Sequence, residues 1–433
     1  MFLTDWRMPD VTAAWPATLI DRFNLPPATL ALTWALLLAL AALAGHLVRR
    51  NSRLPKIVGY AGVGAVAGWL GLANATWPLE GGGLFLLEMG LAVVLFEAGA
   101  RLSLRWLRHN PMVLAQSAAE SLLTFAAAFA SLHALGLDAP VVRALSLIAV
   151  AASPAVLMRV TLDLRASGPV TDRALALATL NTLYALTIGT AMLSSIDRGG
   201  GTLLASVASS AAVLVISLLC GAVLAGVLTA ALRVLHPSSQ DTAIVLLALL
   251  AAGCGVTTPL GGSAPLAALL GGLLLKLWHP RPWVWPRQLG TAASMLNILM
   301  FVLVSAAAAQ AGWSAAAIGA AAALVTARLA AKALGILAGS AGSGMALKKS
   351  FWTGIAMMPM SAVALLLTSQ FVTASHTIGG QVAAIALPMI LVSELLGAVL
   401  LTIAFQRTGE TRQDRRGARA SAAVSQTSEE TPS

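Results

Sequence analysis

Charge is what this chain has least of. Only 27 Lys or Arg and 17 Asp or Glu occur in 433 residues, 10% in all, against 58% hydrophobic residues. A soluble domain of this length could not hide so much apolar surface, so the composition excludes that class and leaves a polytopic membrane protein. The few cations sit in short loops and a tail rather than in one patch, which argues against a nucleic-acid partner. Cysteine is scarce as well. Cys220 and Cys254 lie in apolar runs with neither CxxC spacing nor a partnering His, so they read as buried free thiols rather than metal or redox groups. No HExxH, GxSxG or Walker motif is present. An enzyme is not indicated, and nothing calls for a cofactor or a metal. Residues 1–25 carry Asp5, Asp10, Asp21 and two prolines, unlike a cleavable signal peptide.

What the chain does have is apolar runs. Counting runs of about 18 or more residues gives about thirteen spans. They fall near 27–48, 56–74, 83–100, 112–136, 141–161, 172–196, 203–233, 241–256, 260–277, 289–310, 314–339, 350–372 and 380–405. The expected fold is an all-α polytopic membrane protein. Several spans are rich in Ala and Gly, as close helix packing in lipid favours.

The loops alternate in charge. Arg49, Arg50, Arg53 and Lys56 mark the first, and Arg101, Arg105 and Arg108 the third. Arg159, Arg165 and Arg173 mark the fifth, Arg233 the seventh, then Lys276, Arg281 and Arg287, and last Lys348 and Lys349. The loops between hold almost none, Arg143 and Arg198 excepted. The positive-inside rule therefore predicts an outside N-terminus and a cytoplasmic C-terminus. Three parts follow: an extracytoplasmic segment over 1–26, a transmembrane domain over 27–406, and a cytoplasmic tail over 407–433. The tail is rich in Arg, Glu, Ser, Thr and Gln, so disorder is expected there; a solvated tail is the default reading of Arg412, Arg415, Arg416 and Arg419, and contact with anionic lipid the alternative.

Two spans are interrupted. The fifth reads IAVAASPAVLMRV and breaks at Ser153-Pro154; the twelfth reads FWTGIAMMPMSAVALLL and breaks at Pro359, followed by Ser361. Proline removes a backbone donor and clashes with the preceding turn, so each helix should unwind there. Unwound backbone at membrane depth survives only inside protein or beside a water-filled cavity. With six spans, one connecting span (203–233) and six more, the fifth and twelfth occupy matching places in two inverted halves. Matched breaks of this kind point to a transport site. The sixth span carries Asn181, Thr182 and Tyr184 at mid-depth beside the first break.

Ionisable residues inside the membrane cost several kcal/mol unless paired or hydrated, so each is a functional candidate. Arg328 lies mid-span, with Lys332 one turn later on the same face. Glu394 lies in the last span, Glu120 in the fourth, and Glu88 and Glu97 in the third. An ion pair of Arg328 with Glu394 or Glu120, serving helix packing alone, is the plainest reading. A guanidinium at that depth should find a carboxylate, water, or carbonyls freed by a broken helix.

Taken in order, these pieces resemble the monovalent cation:proton antiporter superfamily, the bacterial sodium/proton exchangers and their relatives. LPKIVGYAGVGAVAGWLGL is similar to that family's second span, and LLEMGLAVVLFEAGARLSLRWLRHNP to its third span and following loop. AVAASPAVLMRV and GIAMMPMSAVALLL resemble its two broken helices, and LATLNTLYAL the helix after the first. The resemblance spans residues 27–405. It implies two crossed discontinuous helices, a core that moves against a dimerisation domain, a homodimer in the bacterial inner membrane, and a monovalent cation and protons as partners. It also implies an Asp-Asp or Asn-Asp pair on the helix after the first break, and a Lys or Arg in a later core helix, where Arg328 stands.

At the acidic pair this sequence departs, carrying Asn181 and Thr182. Threonine does not titrate near neutral pH, so it cannot trade one proton for one cation. Three readings stay open: exchange of Na+ or K+ for protons through another acid (Glu394, Glu120 or Glu97); transport of an anion or neutral solute past Arg328; and an inactive, antiporter-like partner or regulator. The expected binding site comprises Ser153, Pro154, Asn181, Thr182, Pro359 and Ser361, with Arg328, Glu394, Glu120 and Glu97 as a charge network. Through Thr182 itself little Na+ or K+ exchange is expected, and Thr182→Asp should restore it.

Overall fold

The computed structural model describes residues 30–52, 54–72, 81–197, 203–236, 239–279, 287–311, 313–340, 342–360 and 362–411. The segment 1–26, Ser361 and the tail arginines Arg412, Arg415, Arg416 and Arg419 fall outside these residues. Sixteen helices are described: α1 Leu30–Ser52, α2 Lys56–Trp69, α3 Gly81–Arg101, α4 Leu104–His109, α5 Pro111–Ala134, α6 Ala139–Val150, α7 Pro154–Leu164 and α8 Pro169–Asp197. They continue as α9 Leu203–Ala231, α10 Gln240–Thr257, α11 Ala264–Trp278, α12 Arg287–Ala309, α13 Ala315–Ala338, α14 Leu347–Ala356, α15 Ala362–Ala374 and α16 His376–Arg407. Nine stretches among the described residues are long and apolar enough to cross a membrane, and three shorter apolar helices accompany them.

The sequence marks many of the helix starts. Proline opens α5 and α7, where a missing N–H costs nothing because that amide has no intrahelical partner. Ser103, Ser153, Ser239 and Ser314 accept the N3 amides of α4, α7, α10 and α13 through their hydroxyls.

Two layers result. A panel holds α1–α3 and α9–α12, and a core holds α5–α8 and α13–α16. The inverted repeat is visible in the panel: α2 packs on α12 and α3 on α11, which are the same contact seen from each half. At α3–α11 the backbones nearly touch. A Cβ on Gly99 would drive into the Leu269 carbonyl, and one on Gly272 into the Phe96 carbonyl. Close approach without side chains is how helices gain dispersion contact in lipid, where water supplies no drive.

Both expected breaks are present. Between α6 and α7 the chain runs extended through Ala151–Ser153; between α14 and α15 it leaves the helix from Met357 to Met360. The breaks cross, and the Ser153 amide donates to the Pro359 carbonyl at 3.0 Å.

The packed chain also runs past 406, where the sequence places the start of the tail. Glu410 is buried, and its carboxylate accepts the Val170 and Thr171 amides at 2.8 Å each and the Thr171 hydroxyl at 2.7 Å. It caps α8, whose free N–H groups favour a carboxylate.

Candidate functional site

A broken helix presents two ends, and here both C-terminal ends meet one residue. Arg328 of α13 is fully buried. Its guanidinium donates to the carbonyls of Ala149 at 2.8 Å and Ala151 at 2.7 Å at the end of α6. It also donates to those of Met358 and, at 3.4 Å, Met357 at the end of α14. Each helix end carries about half a negative elementary charge. Two of them roughly balance the guanidinium, and four carbonyls that the breaks would orphan gain a donor. The pairing of Arg328 with Glu120 or Glu394 considered from sequence is therefore corrected, since freed backbone takes the place of an acid.

The acid belongs instead to Lys332. Its ammonium lies 2.5 Å from Glu120 Oε1, with both side chains at 0% exposure, and donates also to the Val150 carbonyl at 3.3 Å. Glu120 is saturated: Thr124 donates to Oε1 at 3.0 Å and the Asn181 amide to Oε2 at 2.6 Å. Ser117 and Ser121 then donate to the Asn181 carbonyl at 3.3 and 3.1 Å. Both carboxylate oxygens of Glu120 and the Asn181 carbonyl accept hydrogen bonds, which is what makes a charge pair tolerable at this depth.

Successive residues on a helix point about 100° apart, and α8 uses that turn. Asn181 faces α5 and its carboxylate; Thr182 faces the first break, donating to the Ala152 carbonyl at 3.1 Å. Ser153 caps α7 with its hydroxyl while its amide crosses to Pro359. Pro154 opens α7, and Pro359 lies in the second break. The crossing thus gathers Ser153, Pro154, Thr182 and Pro359, with Asn181 one step away in the Glu120–Lys332 cluster.

Two of the expected network residues lie elsewhere. Glu97 pairs with Arg101 on its own helix at 2.6 Å, partly exposed. Both line a cavity of about 210 Å³ between panel and core, together with Ala155, Arg159, Ser294 and Asn297. Glu394 of α16 is fully buried and accepts from Ser305 of α12 at 2.9 Å. A larger cavity, about 530 Å³, runs between Arg101 and Trp106 on one side and Asp172, Leu175, Ala176 and Thr179 on the other, with Lys276 at its wall. Its α8 residues share one face and end one turn before Thr182.

Lys332 is the buried charge at the crossing to which the sequence alone assigns no partner. Its spacing from Arg328 was the available signal, since i and i+4 share a helix face.

A family model described as sodium/hydrogen exchanger, transmembrane, matches residues 35–407. The chain belongs to the sodium/hydrogen exchanger family. In the solved structure of the sodium proton antiporter MjNhaP1 from Methanocaldococcus jannaschii at pH 8, 97% of that chain and 86% of this exchanger align with a TM-score of 0.65 at 16% identity. An electron-microscopy structure of the same antiporter gives 0.57, again at 16% identity, over 93% of that chain and 90% of this one. Identity at that level speaks to fold alone. No curated protein matches the exchanger in sequence.

Proposed function

We propose that this exchanger moves Na+ or K+ against protons, with Thr182 in place of the usual carboxylate and the Glu120–Lys332 pair as the exchanging group. The observation that carries the reading is that pair: 2.5 Å apart, wholly buried, tied to a broken-helix end by Lys332 and to α8 by Asn181. A cation that reaches Glu120 from the side of Asn181 takes over the carboxylate. Lys332, left buried without a counter-charge, cannot keep its ammonium and gives one proton to water. Reprotonation of Lys332 restores the pair and expels the cation. At this pair one cation is traded for one proton. Hydroxyl and amide oxygens of Thr182 and Asn181 and the Ala152 carbonyl offer neutral ligands along the way. The larger cavity, ending near Thr179, is the route from water.

The family and the loop charges support a bacterial inner membrane, with the N-terminus outside and the C-terminus in the cytoplasm, and a homodimer. The test is proton flux in proteoliposomes driven by Na+, K+ or Li+ gradients, against empty liposomes. Flux lost in Glu120→Gln and retained in Thr182→Ala supports the reading. Flux indifferent to Glu120→Gln refutes it.

One observation favours a second reading. Arg328 stands at the crossing with no acid to neutralise it beyond the helix ends, so an anion or neutral solute is better tolerated there than a bare cation. Uptake of a labelled anion that Arg328→Met abolishes, with no cation-driven proton flux, would select it.

A further inference from the structure

Under the inverted repeat, α16 is to the second half what α8 is to the first. Each follows a broken helix and crosses the break of its own half: α8 at Thr182 against Ala152, and α16 at Gly397 against Pro359. A Cβ on Gly397 would lie 2.6 Å from the Pro359 Cα, so α16 passes that break at backbone contact. One turn before Gly397, α16 carries Glu394. The half whose site helix lost its carboxylate is thus matched by a half that has one.

Glu394 is wholly buried; among the described residues its carboxyl accepts only from the Ser305 hydroxyl, and Oε1 has no partner. The neighbouring Ser393 hydroxyl is also buried and unpartnered. Among the described residues no cation lies within 4.0 Å of the carboxyl. The charged groups on the elements packed against α16 are engaged elsewhere or stand at helix ends. On α13, Arg328 holds carbonyls and Lys332 holds Glu120; on α7, Arg159 binds the Tyr60 hydroxyl of α2 and lies 3.9 Å from Asp163. Lys56 opens α2, Arg143 lies in the first turns of α6, Lys348 and Lys349 in the first turn of α14, and Arg287 opens α12 18 residues before Ser305. A lone carboxylate in such a place is too costly to stay ionised, so the group holds a proton. Its donor, Ser305, belongs to the panel, and Glu394 itself to the core. Pro388, inside α16, removes one backbone bond less than two turns earlier, which makes this stretch the easiest place for the helix to flex.

We propose that Glu394 is a second proton site of the exchanger, lying on the seam between panel and core, loaded while the Ser305 contact is closed and open to water only when α16 parts from α12. The proposal rests on the exchange reading above. Two protons then move per cation, one from Lys332 and one from Glu394, and each cycle transfers one net charge.

The test has two readouts on protein reconstituted in liposomes. Infrared spectroscopy at neutral pH should find a protonated-carboxyl C=O band in the wild type. That band should be lost in Glu394→Gln, shifted to higher frequency in Ser305→Ala, and deuterated in D2O chiefly when a cation gradient drives turnover. In flux assays the wild type should respond to an imposed membrane potential, and Glu394→Gln should lose that response and move one proton fewer per cation. A band that survives Glu394→Gln, a deuteration rate indifferent to turnover, or an unchanged voltage response in Glu394→Gln each overturns the proposal. Cation-driven flux without the band refutes Glu394 alone. The band without cation-driven flux refutes the exchange reading, and with it any transport role for Glu394.

Discussion

Glu120 and Glu394 are equally buried, on helices of the same core, yet their surroundings are opposite. Glu120 meets an ammonium, an amide and a hydroxyl; Glu394 meets one hydroxyl and leaves an oxygen bare. A saturated cluster holds a charge and a shape together, so α5, α8 and α13 are locked to one another through it. A half-satisfied acid holds neither. The comparison teaches that burial alone does not assign a role to an intramembrane carboxyl: the number and charge of its donors decide whether it can hold a charge.

The largest effect that bears on this contrast is removal of the charge on Glu120. Glu120→Gln leaves Lys332 buried and unpaired, and should cost about 3–5 kcal/mol of stability. Thermal unfolding in detergent checks it, and Glu120→Gln with Lys332→Met should recover most of the loss. Next is Asn181→Leu, which strips a hydrogen bond from a charged acceptor and should cost about 1.5–3 kcal/mol. Thr182→Ala loses only a neutral bond to the Ala152 carbonyl, about 1 kcal/mol by the same unfolding assay, with little change in Glu120-dependent flux. The smallest effect is expected at Glu394→Gln, below about 1 kcal/mol, because a neutral amide can still accept from Ser305. A loss there as large as at Glu120 would mean that Glu394 is ionised, and the contrast would collapse. Thr182→Asp sharpens it from the other side. An added carboxylate beside the first break should raise cation-dependent proton flux over wild type and make it less dependent on Glu120.

Much of the fold was legible because its signals are local. Pro154 and Pro359 each remove a backbone donor and crowd the preceding turn, which is a local signal for a break, and apolar length reports most of the spans. The rotation of each helix was not legible. A helix that is apolar all round gives no stripe to orient it. The sequence therefore could not say that Asn181 faces Glu120 while Thr182 faces Ala152, or that Lys332 rather than Arg328 takes the acid. Arg328 could be placed at depth, but its partners are backbone carbonyls, which every sequence contains and none announces. Glu97 looked like a core acid because it lies in an apolar run; Arg101, one turn away, draws it to a cavity wall.

The carboxylate that closes the start of α8 has a consequence for biosynthesis. Glu410 is 240 residues downstream of Val170, whose amide it accepts. At about 5–20 residues per second, α8 waits on the order of 10–50 s after leaving the ribosome before that partner exists. Throughout, the first amides of the helix that carries Asn181 and Thr182 stand open at the membrane edge. They are closed only once α16 has been inserted and the chain has emerged past it. A product that stops at 406 can place every span and still never close the first amides of that helix.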